Sequence, residues 1–148
     1  MYKQIVIATD GSDLASKAVS HGIALAKIHN AAVSVVTVTD VWSSFAMAHE
    51  YDQGKKDPIA AYENLAAAAA KRILDQAADA AKSAGVACKT VHIRDKHPAE
   101  GIVEAAGHAK ADLIVMASHG RRGMQRLLLG SQANEVVTHS NVPVLIVR

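Results

Sequence analysis

"LIVMASHGRRGMQRLLLGSQ" (Leu113–Gln132) is the stretch whose reading decides the fold. Its first four residues, Leu113 to Met116, form a short unbroken apolar run, the pattern of a strand covered on both faces. From Ser131 onward the residues read as a helix start. Between them lie Gly120 and Gly123, the adjacent Arg121 and Arg122, and the pair Gly130-Ser131. A buried strand that empties into a bend of small and basic residues and then enters a helix is one β-α unit. The rest of the chain repeats that unit.

"QIVIATD" (Gln4–Asp10) is a β-branched run that stops at a turn signal, Asp10-Gly11-Ser12. Ala15, Ala18, Val19, Gly22, Ile23 and Ala26 then share one helical face, with Ser12 as the N-cap. "AAVSVVTVTD" (Ala31–Asp40) is the second strand. Pro58 suits a first helical turn. Beyond it, Ile59, Tyr62, Ala66, Ala69, Ile73, Ala77, Ala80 and Ala84 recur at steps of three and four up to Gly85, a C-cap signal. The alanine block 66–70 reads as a helix face trimmed for close packing. "VACKTVHIRD" (Val86–Asp95) alternates as a strand, and a short helix follows over about Pro98 to Ala109. "ADLIVMAS" is the fourth strand. A last helix from about Ser131 to Ser140 leads to "VPVLIVR" (Val142–Arg148), the fifth.

Strict β-α alternation implies one parallel sheet with helices on both faces, an α/β fold. Right-handed crossovers make it a doubly wound, Rossmann-like sheet, with the expected strand order 3-2-1-4-5. Ligands of such sheets sit at the carboxyl ends of the strands, where the strand order reverses. Here that is between strand one, ending Ala8-Thr9-Asp10, and strand four, ending Ala117-Ser118-His119-Gly120.

Bulk properties fit one domain over residues 1–148. Half of the residues are hydrophobic and only 3% are aromatic, so the core is built from Ala, Val, Ile and Leu. A net charge of +2 with scattered basic residues does not support nucleic-acid binding. The apolar runs are far short of a membrane span. The N-terminus reads as a strand and not a signal peptide. A cytoplasmic protein is expected, and the lone Cys88 fits a reducing compartment as a small buried hydrophobe. Residues 41–56 carry no clear period and hold Trp42, Phe45 and Tyr51. They read either as a functional flap or as a loop pinned by its aromatics.

The bend before the last helix points to phosphate. Small residues let backbone amides approach a ligand, and the helix start at Gly130-Ser131 offers unpaired amides and a partial positive charge. The Ser131 hydroxyl adds a hydrogen bond, and Arg121 or Arg122 adds charge. Asp10, across the opening, suits a ribose hydroxyl or a divalent metal held through water. On this reading, Gly130→Val is expected to abolish binding while sparing the fold.

"MASHGRRGMQRLLLGSQANEVVTHSNVPVLIVR" resembles the C-terminal third of the universal stress protein family, and "IVIATDGSDLASKAV" is similar to its N-terminal signature. The ATP-binding branch of that family carries Gly, two residues, Gly, nine residues, then Gly-Ser or Gly-Thr. Gly120, the nine residues 121–129 and Gly130-Ser131 match; Ala117 stands where the first glycine would be. A methyl there either crowds the nucleotide or costs nothing. The resemblance implies ATP with magnesium or manganese. It puts Asp10 near ribose and metal, Ala8 and Thr9 along the nucleotide, and the Val38 backbone against adenine. Ala117, Ser118, His119, Gly120, Arg121, Arg122 and Gly123, with Ser131, Gln132 and Ala133, would wrap ribose and phosphates. It also implies homodimers paired through the last strand, whose free edge (Val142–Arg148) invites a partner independently.

Other chemistry is poorly supported. The eight histidines form no ligand pair at metal-site spacing. There is no Gly-x-Ser-x-Gly elbow and no Walker lysine. Asp10 and Asp95 mimic a phosphoacceptor receiver, but the required lysine after strand five is missing. "TDGSDLAS" is a poor flavin phosphate loop. Two readings therefore stand: an ATP-binding regulatory protein of the stress response with slow hydrolysis at most, or a dimeric interaction module that does not use nucleotide.

Overall fold

The structure is a computed structural model that describes residues 1–40, 54, 56–121 and 128–148. Five strands, β1 (Gln4–Ala8), β2 (Ala32–Val38), β3 (Cys88–Ile93), β4 (Leu113–Ala117) and β5 (Val144–Val147), build one sheet in the order β3-β2-β1-β4-β5. Every neighbouring pair is parallel. The described helices are α1 (Asp13–His29), α2 (Pro58–Ala84), α3 (Pro98–Ala109) and α4 (Ser131–His139). This is the doubly wound α/β sheet that the alternation implies, with its order reversing between β1 and β4.

Alternation along each strand splits the core in two. Ile5 and Ile7 of β1 and Val115 of β4 pack with α1 and α2 on one face. Val6, Val36, Ile114 and Met116 pack with α3 and α4 on the other. Every residue of β4 is buried, which accounts for its unbroken apolar run. The edge strand β3 differs: Lys89, Thr90 and Val91 are exposed. Cys88 is half-buried, and burial pushes its thiol above the ordinary value, the lowering effect of a hydrogen bond with the Val35 backbone being the smaller influence. That suits a packing role.

Local signals explain the helix limits. Ser12 accepts the Ala15 amide and caps α1, whose buried stripe is Ala15, Ala18, Val19, Gly22, Ile23 and Ala26. Asp57 caps α2 by accepting the Ala60 amide, and Gly85 ends α2 at φ 73°, a conformation glycine adopts without strain. The buried α2 residues are Ala70, Leu74, Ala77 and Ala81. That is one position on from much of the expected stripe. Ala66, Ala69 and Ile73 border the opening at the strand ends instead, while Ile59 and Ala80 face solvent. β2 and β5 are also shorter than the apolar runs suggested, although Thr39 and Pro143 just outside them still bond to β3 and β4. Trp42, Phe45 and Tyr51 lie outside the described residues. Among the described residues, no helix is long and apolar enough to cross a membrane.

Gly22 shows how closely α1 lies on the sheet. A Cβ there would fall 2.4 Å from Cδ1 and 2.6 Å from Cγ1 of the fully buried Ile7. Gly22→Val is expected to lower stability by about 1–3 kcal/mol, overpacking outweighing the gain in helix propensity. Chemical denaturation checks this, and the same substitution made in an Ile7→Ala background should cost less.

Candidate functional site

The carboxyl ends of β1, β2 and β4 open into a cleft of about 660 Å³, within the range of small-molecule sites. It is lined by β1 and its turn (Ala8, Thr9, Asp10), the end of β2 (Val38, Thr39, Asp40), α2 (Ala66, Ala69, Ile73), the loop after β4 and the first turn of α4. Of the residues singled out from sequence, Ala8, Thr9, Asp10, Val38, Ala117, Ser118, His119, Gly120, Arg121, Gly130, Ser131, Gln132 and Ala133 all line it. Arg122 and Gly123 lie outside the described residues.

The loop closes on itself before any ligand is considered. Ser118 is held at both of its backbone groups: its amide donates to Val147 O and its carbonyl accepts from the Gly130 amide, each at 2.9 Å. A Cβ on Gly130 would lie 2.8 Å from that carbonyl. Gly130 has φ −60°, so its glycine answers to close backbone approach and not to an unusual angle. Gly130→Val would thus disturb the loop itself, and the expectation that it spares the fold does not hold. The Ser118 hydroxyl and His119 Nδ1 are 3.1 Å apart.

Asp10 is a strut across the cleft. Its Oδ1 accepts the Ser12 amide at 2.9 Å, and its Oδ2 accepts the Arg121 amide at 2.8 Å. Gly120 makes room for it: a Cβ there would lie 2.9 Å from Oδ2. The Arg121 guanidinium reaches the β1–α1 turn, with Nη2 3.1 Å from where a Gly11 Cβ would sit. The amides of Gly130 and Arg121 are therefore committed within the protein, although the sequence points to both for a ligand. Each Asp10 oxygen retains a further acceptor position.

The other residues divide by what their side chains touch. Thr9 is buried, its amide donating to Val36 O at 2.9 Å and its hydroxyl accepting from the Gly11 amide at 3.2 Å. Val38 packs on Gly101 of α3, where a Cβ would lie 2.9 Å from Cγ2. Ala117 and Ala133 are buried in the two apolar clusters, Ala117 beside Val115 and Val147. The Ala117 methyl is thus taken largely by the core. Gln132 has a role the sequence does not announce: its Oε1 accepts the Ala99 amide at 2.9 Å and caps α3.

Three helices begin at this cleft, and their starts differ. α1 is capped by Ser12 and α3 by Gln132. α4 has glycine at its N-cap and no side-chain cap, and its first intrahelical bond is Asn134 N–H to Gly130 O. The amides of Ser131, Gln132 and Ala133 precede that bond, so no helix carbonyl serves them.

The residues 1–148 match the model of the universal stress protein family. The chain belongs to the universal stress protein family. Universal stress protein MJ0531 of Methanocaldococcus jannaschii is 37% identical over 148 residues, covering 100% of this chain and 83% of its own. Among solved structures, hypothetical protein MJ0577 aligns with TM-score 0.80 at 27% identity, over 99% of this chain and 96% of its own. A universal stress protein solved in complex with cAMP aligns with TM-score 0.70 at 30% identity, over 99% and 97%.

Behind the cleft wall, Thr39 meets a titrating side chain of β3. Thr39 Oγ1 and His92 Nε2 are 2.6 Å apart. Burial, and then the nearby Arg94 charge, hold His92 below its ordinary 6.5. The unfolded chain therefore takes up this proton first, and the His92 contribution to stability, full above pH 6.5, is lost as pH falls toward the lowered native value. Replacing His92 with Gln should flatten that part of a stability-against-pH curve measured by urea unfolding.

Proposed function

We propose that the cleft binds ATP and that the protein is a nucleotide-dependent regulator of the stress response, hydrolysing ATP slowly at most. The open first turn of α4 carries this reading, because it is the one described helix start at the cleft without a side-chain cap. Unpaired amides and the helix dipole favour a phosphate there. The Ser131 hydroxyl and Arg121 guanidinium supply further donors, with Arg122 and Gly123 placed by the resemblance alone. Ala8, Thr9 and the Val38 backbone would flank the ribose and base, against the apolar wall of α2. The cAMP complex of a 30% identical relative supports an adenine nucleotide as ligand class.

The donor set suits a metal that arrives with the phosphates. Among the described residues, no group of three His, Cys, Asp or Glu could hold a metal ion. Magnesium or manganese would be carried by the nucleotide, with Asp10 reaching it through water. The protein's own part is to bind and orient, using amides already fixed in place.

Ser131→Asp would place a carboxylate in the first turn of α4, where it competes with a phosphate for the positive end of the helix dipole. It is expected to weaken binding of Mg-ATP about tenfold or more while leaving the free protein as stable or up to about 1 kcal/mol more so. Calorimetry and thermal unfolding read the two effects. Wild-type protein that takes up no adenine nucleotide at millimolar concentration would overturn the proposal and favour the nucleotide-independent interaction module, for which the internal commitments of Asp10 speak.

Homodimers are proposed through β5. Ile114 N–H donates to Pro143 O and Ser118 N–H to Val147 O, so Pro143, Leu145 and Val147 face β4. The amides of Val144 and Ile146 therefore point to the outer edge. Ile146→Pro removes one of them without breaking the β4 ladder, which deleting Val144 to Arg148 would do. Sedimentation equilibrium should find dimers for wild type and monomers for Ile146→Pro.

A further inference from the structure

We propose that Gln132 is a specificity-determining residue, an uncharged cap that lets two helix starts share one cleft without repelling an anionic ligand. The inference rests on the nucleotide reading of that cleft. It begins from a mismatch in α3. The N-cap residue His97 makes no side-chain cap. The acceptor comes instead from Gln132, whose Oε1 takes the amide of Ala99, 33 positions earlier, at 2.9 Å. Gln132 is also the second residue of α4, the helix whose first amides are left open. One residue thus serves two helices, its side chain α3 and its backbone α4.

The choice of an amide is informative. A carboxylate would accept the Ala99 amide more strongly, and a helix N-terminus favours negative charge. α3 already carries Glu100 in its first turn. Judged by α3 alone, glutamate would be the better residue at position 132. Gln132 and Pro98 both line the cleft, however, and Ser131 is its neighbour. A full negative charge there would oppose the potential that the open α4 amides create. Glutamine keeps the acceptor and omits the charge. Binding should accordingly depend on residue 132 in proportion to the charge of the ligand, and hardly at all for an uncharged nucleoside.

The test compares wild type, Q132E and Q132L as intact chains. Thermal unfolding is measured without ligand, and binding of ATP, AMP and adenosine is measured by calorimetry. Q132E should unfold at or above the wild-type temperature, since the acceptor is kept. Its affinity should fall about tenfold or more for ATP, less for AMP, and within about twofold for adenosine. Q132L should unfold lower and weaken ATP and adenosine by similar factors, since it removes only the cap. Q132E protein that binds ATP as tightly as wild type, or that loses all three ligands equally, overturns this role and leaves nucleotide binding standing. Wild type that binds none of the three overturns the nucleotide reading, and this inference with it.

Discussion

The hydrogen bond from the Gly130 amide to the Ser118 carbonyl, 2.9 Å long, is the constraint on which the site depends. It joins the end of β4 to the start of α4 across a bend that sequence alone would leave open. Ser118 cannot shift to accommodate it, because its own amide is tied to Val147 of β5. Gly130 must therefore come to Ser118, and only a residue without a side chain can. The same glycine has no side chain with which to cap the first turn of α4. One close approach thus fixes where the helix points and keeps its amides available.

Asp10 supplies the opposing constraint. A lone carboxylate facing a phosphate seat would ordinarily count against anion binding. Here its charge is met by the Ser12 and Arg121 amides. It acts first as a brace between the β1 and β4 loops, with acceptor capacity left for a hydroxyl or a metal-bound water. The two motif glycines have parallel duties. Gly120 admits the Asp10 carboxylate and Gly130 admits the Ser118 carbonyl.

Much of this could be read from the chain, and the gaps have physical causes. The α1 stripe was legible because isoleucine, valine and small residues recur at helical spacing against polar neighbours. The buried strands were legible from their β-branched runs. The α2 stripe was displaced because residues 66–70 are all alanine, so no large side chain marks the inward face. Gly120 and Gly130 could be read as places needing close approach, but not what approaches, since that depends on Asp10 and Ser118 arriving from elsewhere. The Gln132 cap joins two residues far apart in the chain, and no local pattern announces it. A clue lay in His97, a poor N-cap before Pro98 that left α3 in need of an outside acceptor. At Ala117 the sequence left two outcomes open; the residue is buried beside Val115 and Val147 and also borders the cleft.

The most direct measurement is of backbone amide resonances in isotopically labelled protein as ATP, and separately AMP, is added. The account predicts that Ser131, Gln132 and Ala133 shift first and furthest, while the capped first-turn amides Ala15 and Ala99 move little. Shifts centred on Ala15 or Ala99, or none at Ser131 to Ala133 when nucleotide is bound, would contradict it.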